Sequence, residues 1–188
     1  MPAAKRISKE AIIDAAAAVL RTGGFEAINA RSVAKALGCS TQPIYLSFRN
    51  MEELKSALTQ RAIEQHTQRV RESLRAHEGC DSRYSSYGMG FVQFAAQEKQ
   101  LFRWLYLEDN QPGRHQEDVL EPEIIRTVMD EFGYDEVTAR AFHRDMTYYS
   151  YGLAILANTG HLALTETELR EAFRREFRAL AAYYLSLI

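Results

Sequence analysis

A glycine followed five residues later by a proline, in the stretch LGCSTQPIYLSF from Leu37 to Phe48, constrains this chain more than any other feature. Glycine takes the left-handed conformation that closes a helix at little steric cost. Proline costs ~3 kcal/mol inside a helix, but in a first turn its missing N–H has no intrahelical partner to lose. Gly38 therefore stops one helix, and Pro43 obliges the next to begin at Ser40 or Thr41. The spacing predicts two short helices around a tight turn, with Ser40 as cap and Ile44 and Phe48 four apart on the buried side. Thr41, Tyr45 and Ser47 then point away from the core.

The rest of the chain also reads as helix. Ser8 caps a first helix to about residue 21, whose Ile12, Ile13, Ala16, Val19 and Leu20 share a face. Asn29 caps a second over 30–37, and a long fourth helix runs over 51–76 with no breaker before Gly79. Helices follow at about 83–97, 99–108 and 119–132, with a loop over 108–118. Two long ones close the chain at about 136–158 and 166–187, the last opened by the capping box Thr165-x-x-Glu168. No segment alternates with period two, and no repeat appears. The predicted fold class is all-α, with about nine helices.

Charge divides the chain. Residues 1–50 hold seven Lys or Arg against three acids, while the whole chain has a net charge of −2, leaving −6 for the remainder. A basic end on an acidic body suggests two tasks. In the basic arm, Lys5, Arg6 and Lys9 suit either DNA or solvent. The N-terminus lacks the apolar core of a secretory signal, and no run reaches the ~20 apolar residues of a membrane span. Cys39 and Cys80 share no metal-ligand spacing, and reduced thiols in a cytoplasmic protein are expected.

Two helices joined by a glycine-containing turn, the second polar at its start, form a helix-turn-helix at about 30–49. The second helix of that motif enters the major groove with its N-terminal residues near base edges. Gln42 can pair with adenine and Thr41 can touch a thymine methyl. Tyr45 can reach phosphate or sugar. The segment GGFEAINARSVAKALGCSTQPIYLSFRNMEEL, residues 23–54, resembles the DNA-binding domain of TetR-family (TetR/AcrR-like) transcriptional regulators. Phe25, Ile28, Val33, Ala34, Gly38, Ser40, Ile44, Tyr45, Phe48, Asn50 and Leu54 fall in register with its pattern. Met51 stands where the family carries a phosphate-binding lysine, Ser47 where a histidine or aromatic is usual, and Cys39 where valine is usual. Arg49 or Lys55 is expected to take over the missing contact. The expected DNA-binding set is Arg31, Ser40, Thr41, Gln42, Pro43, Tyr45, Ser47, Arg49 and Lys55.

The resemblance implies a division into a DNA-binding domain, 1–52, and a ligand-binding and dimerisation domain, 53–188. In the latter, Phe91, Phe94, Phe102, Trp104, Tyr106, His143, Tyr148 and Tyr149 are the candidate lining of an effector site. Abundant aromatic surface without evident buried charge pairs points to a flat or apolar, uncharged effector. The same aromatics could equally fill a core. Phe142, Met146, Leu153 and Leu156 run along one of the last two helices, and Phe173, Phe177, Leu180 and Tyr184 along the other. These stripes are expected to hold a homodimer, the alternative being that each faces its own core. Both helices also carry apolar residues off the stripe: Tyr148, Tyr151 and Ile155 on one, Ala172, Ala179 and Tyr183 on the other.

His143 with Asp145, and His161 alone, fit no common ligand spacing, and no catalytic set can be assembled. No cofactor or metal is expected, and no enzymatic activity. The resemblance implies a ligand-responsive regulator, a repressor, bound as a homodimer to a pseudo-palindromic double-stranded operator. Two alternatives remain at this level: an all-α carrier or enzyme with a vestigial helix-turn-helix, or a regulator controlled by a protein partner.

Overall fold

In a computed structural model the protein is described over residues 7–76, 82–108 and 112–186, all regular structure there being helical. Nine α-helices appear among these residues: α1 Lys9–Gly23, α2 Ala30–Leu37, α3 Gln42–Ser47, α4 Met51–Ala76, α5 Arg83–Gln97, α6 Lys99–Phe102, α7 Pro112–Phe132, α8 Glu136–Thr159 and α9 Glu166–Leu185. A 3-10 turn covers Phe25–Ala27, and a π-helical turn, Arg103–Leu107, continues α6. Cys80, Lys5 and Arg6 lie outside the described residues.

The caps explain most boundaries. Ser8 accepts from the Ala11 N–H, and Asn29 closes a reciprocal box with Ser32 at the start of α2. Gly38 ends α2 at φ +67°. Thr165 and Glu168 form the expected capping box of α9. Two readings need correction. Ser40 does not cap α3: Thr41 is the cap residue, its carbonyl accepting from Ile44 and Tyr45 while its side chain makes no capping bond. The loop expected over 108–118 is mostly helix, because α7 already begins at Pro112. Proline's fixed φ suits a first helical position, so the residue that suggested a loop instead opens the helix.

The chain packs as two compact units. The first holds residues up to 65 together with 100–112. Its core is Ile12, Ala16 and Leu20 of α1, Val33 and Ala34 of α2, Ile44 and Phe48 at α3, and Leu54 and Leu58 of α4. Burying each large side chain contributes roughly 1.5–3 kcal/mol. Leu101, Phe102, Trp104, Leu105 and Tyr106 are buried in this unit too. Trp104 stacks on Phe25 with ring centroids 4.9 Å apart and planes 18° from parallel.

The second unit holds residues 66–99 and 113–188. Here α5 packs on α8 and α9. Glu131 of α7 accepts the Arg83 N–H at 2.9 Å and the Tyr84 N–H at 3.2 Å, placing a carboxylate at the N-terminus of α5 where the helix dipole favours it. Asn158 of α8 donates to the carbonyls of Ala95 and Lys99, satisfying the other end of α5. Phe142 is fully buried between the rings of Tyr84, Phe132, Tyr134, Phe177 and Tyr184. Within the described residues no helix is long and apolar enough to cross a membrane.

Candidate nucleic-acid interface and internal cavity

The turn at Gly38 sets α3 against α2, and the buried pair Ile44 and Phe48 anchors it. With one side pinned, the opposite face is exposed: Gln42, Tyr45 at 55% and Leu46 at 80%. Ser40 and Arg31 are also exposed, while Thr41, Pro43 and Ser47 are half-buried. The Thr41 hydroxyl, released from capping, is available to another partner. Leu46 was missed by sequence reasoning, although it lies four residues beyond Gln42 and so on the same face.

The basic residues at the start of α4 are engaged in different degrees. Arg49 is 89% exposed at its side chain, with its Nε 3.1 Å from Glu53, whose carboxylate also accepts the Arg49 backbone N–H. Those hydrogen bonds, the backbone one foremost, hold the Glu53 carboxyl below its usual range. Lys55 is 22% exposed; its Nζ lies 4.6 Å from the Phe25 ring centroid and 3.8 Å from Glu52. A cation over an aromatic face is stabilised where it stands. Arg49 is thus the freer of the two to meet a phosphate. Lys9, on α1, sits 5.1 Å from the Phe48 ring.

The second unit holds a narrow, partly open apolar cavity of about 20 Å³, room for one water molecule, between α5, α8 and α9. Its walls are Tyr84, Ser85, Tyr87, Gly88 and Phe91 of α5, His143, Met146, Thr147, Ser150 and Tyr151 of α8, and Phe173 and Phe177 of α9. Neither Lys, Arg, Asp nor Glu is among them. The Tyr84 hydroxyl and His143 Nδ1 are 2.8 Å apart. Burial pushes the His143 imidazole down to about 4, so it is neutral at physiological pH, and pushes the Tyr84 phenol well above its usual value. The Ser150 and Thr147 hydroxyls donate back to carbonyls of their own helix. Gly88 lets α9 approach closely: a Cβ there would lie 2.6 Å from Phe173 Cε1.

Of the aromatic set expected around an effector, Phe91 and His143 line this cavity. Phe94 is buried with its ring centroid 4.4 Å from that of His66. Tyr148 is largely exposed, and the Tyr149 hydroxyl donates to the Ala172 carbonyl. Phe102, Trp104 and Tyr106 are core of the first unit and lie outside the cavity. Tyr84, Tyr87, Gly88 and Phe91 follow one face of α5, and tracing that face through its glycine was the signal to follow.

The stripes expected at a dimer interface are turned inward. Phe142, Met146, Phe173 and Tyr184 are buried within the unit, and Phe177 lines the cavity. Leu153 and Leu180 are half-buried, and Leu156 alone of the set is exposed. The period-3.6 pattern marks a face that is buried, and here the unit's own core buries it. The outward residues include Tyr148, Gly152, Ile155 and Leu156 of α8 and Ala179, Ala182 and Tyr183 of α9.

Residues 12–58 match the family model for bacterial regulatory proteins of the tetR family. Among solved structures, the fatty acid degradation regulator FadR from Bacillus halodurans is similar at a TM-score of 0.59 and 16% identity, over 96% of this chain and 97% of that one. A putative TetR-family transcriptional regulator from Vibrio parahaemolyticus is similar at 0.59 and 16% identity, over 91% and 97%. The TetR-family repressor AlkX from Dietzia sp. strain DQ12-45-1b, implicated in biodegradation of n-alkanes, is similar at 0.51 and 20% identity, over 97% and 98%. A search of curated proteins gave no match. Residues 12–58 thus match a tetR-type DNA-binding domain, within which α2 and α3 form the helix-turn-helix, and the chain has the fold of the solved TetR-family regulators.

Proposed function

We propose that this protein is a one-component transcriptional repressor that binds a pseudo-palindromic operator as a homodimer and releases it on binding a small uncharged effector. It is not an enzyme in this reading. Residues 1–52 contact DNA and residues 53–188 sense and dimerise. The observation that carries the reading is the outward face of α3, where Gln42, Tyr45 and Leu46 stand exposed opposite the buried Ile44 and Phe48. Packing accounts for the second pair and leaves the first three without a role. Gln42 reads a base, Tyr45 grips the backbone, and Arg49 replaces the phosphate contact absent at Met51.

The cavity of the second unit is the effector site. An apolar wall, a neutral His143–Tyr84 pair and no lining cation favour an uncharged, aromatic or aliphatic molecule over a carboxylate. At about 20 Å³ the cavity must widen to accept such a molecule, and Phe173, resting on Gly88, is the side chain to move. Widening supplies the differential affinity that a switch requires: the effector favours the open form, DNA the closed one. Dimerisation falls to the outward apolar residues of α8 and α9 named above.

The test is duplex binding by the purified chain as a function of salt, followed by selection from a random duplex pool. A linear loss of log affinity with log salt and an enriched palindrome are expected. A carrier or enzyme with a vestigial helix-turn-helix would show neither. The small size of the cavity favours, as a second reading, control by a protein partner. If uncharged aromatic and aliphatic compounds all leave DNA affinity unchanged, that reading replaces the small effector.

A further inference from the structure

Leu46 is 80% exposed, more than any other large apolar side chain of the described residues. It sits on α3 between Tyr45, also exposed, and the half-buried Ser47, and it shares its face with Gln42 four residues earlier. The core of the unit does not hold it, since Ile44 and Phe48 fill that side. A leucine has no donor or acceptor, so it cannot grip a phosphate or pair with a polar base edge. In the major groove one feature is apolar: the C5-methyl group of thymine. We propose that Leu46 is a specificity-determining residue that packs on a thymine methyl in each operator half-site. This rests on the reading of α3 as the groove-entering helix. Four residues of helix rise about 6 Å, so the thymine is a near neighbour of the base that Gln42 reads.

The test uses the full chain and an operator selected from a random duplex pool. Each thymine of that operator is replaced singly by deoxyuridine, which keeps pairing and removes only the methyl. At one thymine per half-site the replacement is expected to weaken wild-type binding about three- to tenfold, with other thymines near neutral. Leu46→Ala should bind the unmodified operator more weakly by a similar factor and lose the sensitivity to deoxyuridine at that site. Its helical circular dichroism and melting should match wild type, because the side chain is in solvent. A wild type indifferent to every replacement, or a Leu46→Ala variant as sensitive as wild type, would overturn the proposal. A wild type that selects no duplex sequence at all defeats the DNA-binding reading itself, a different result from sequence-selective binding without methyl dependence.

Discussion

The face of α3 and the inner face of α5 are both rich in apolar and aromatic side chains, and they meet opposite fates. On α3, Tyr45 and Leu46 stay in solvent although the helix is only six residues long and each buried apolar group would help hold it. On α5, Tyr84, Phe91 and Phe94 are almost wholly enclosed. The difference lies in the second side of each helix. Ile44 and Phe48 already pin α3, so its remaining surface is free for recognition. Both ends of α5 are tied by Glu131 and Asn158, and its small residue Gly88 invites Phe173 into contact. One helix keeps apolar surface out of the core; the other leaves a thin gap within it.

Four experiments strain this contrast. The largest effect belongs to Phe142→Ala, which empties the centre of a five-ring cluster and should cost about 3–5 kcal/mol in urea unfolding. A cost near that of a surface change would mean the aromatic core is not what holds the second unit.

Acid is next. Both His143 and His66 are pushed down to about 4 by burial, the Arg69 charge adding to the effect at His66. Below about pH 6.5 the unfolded chain takes up protons that the folded chain refuses until about pH 4. Stability is therefore complete above that window and falls as pH drops through it, by about 3 kcal/mol per histidine. Urea midpoints at pH 7 and 4.5 should differ, and His143→Gln should remove its own share of the difference. An unchanged pH dependence in that variant would show His143 to be solvated, and the cavity with it.

Gly88→Ala should cost about 1–3 kcal/mol by displacing Phe173, and should blunt any effector response, because the side chain that opens the cavity is then already displaced. An equally responsive variant would move the effector site elsewhere.

On α3 the stability changes should be within about 0.5 kcal/mol, because the side chains are exposed. Gln42→Ala should cost ~1–3 kcal/mol of operator binding and relax preference at one position per half-site. Tyr45→Ala should instead weaken all sequences alike. If both variants melt well below wild type, the face is structural and the contrast with α5 collapses.

Local chemistry determined much of this protein from the sequence alone. Ser8, Asn29, Gly38 and the Thr165–Glu168 box set helix ends through hydrogen bonds that span at most four residues. The helix-turn-helix was legible for the same reason, and so was the exposed Tyr45, since Ile44 and Phe48 fix the buried side within one turn. Leu46 was equally legible and was overlooked because a leucine is expected to be core. What covers a buried face was not legible. Periodicity along α8 and α9 announced apolar stripes, and only packing decided that Phe142, Met146, Phe173 and Tyr184 face their own unit. The aromatic run from α5 onward was likewise divided by tertiary structure: Phe91 lines the cavity, whereas Phe102, Trp104 and Tyr106 fill the core of the first unit. Burial is non-directional and depends on area removed from water, so a sequence records that a side chain is hidden and leaves the choice of its neighbour to the folded chain.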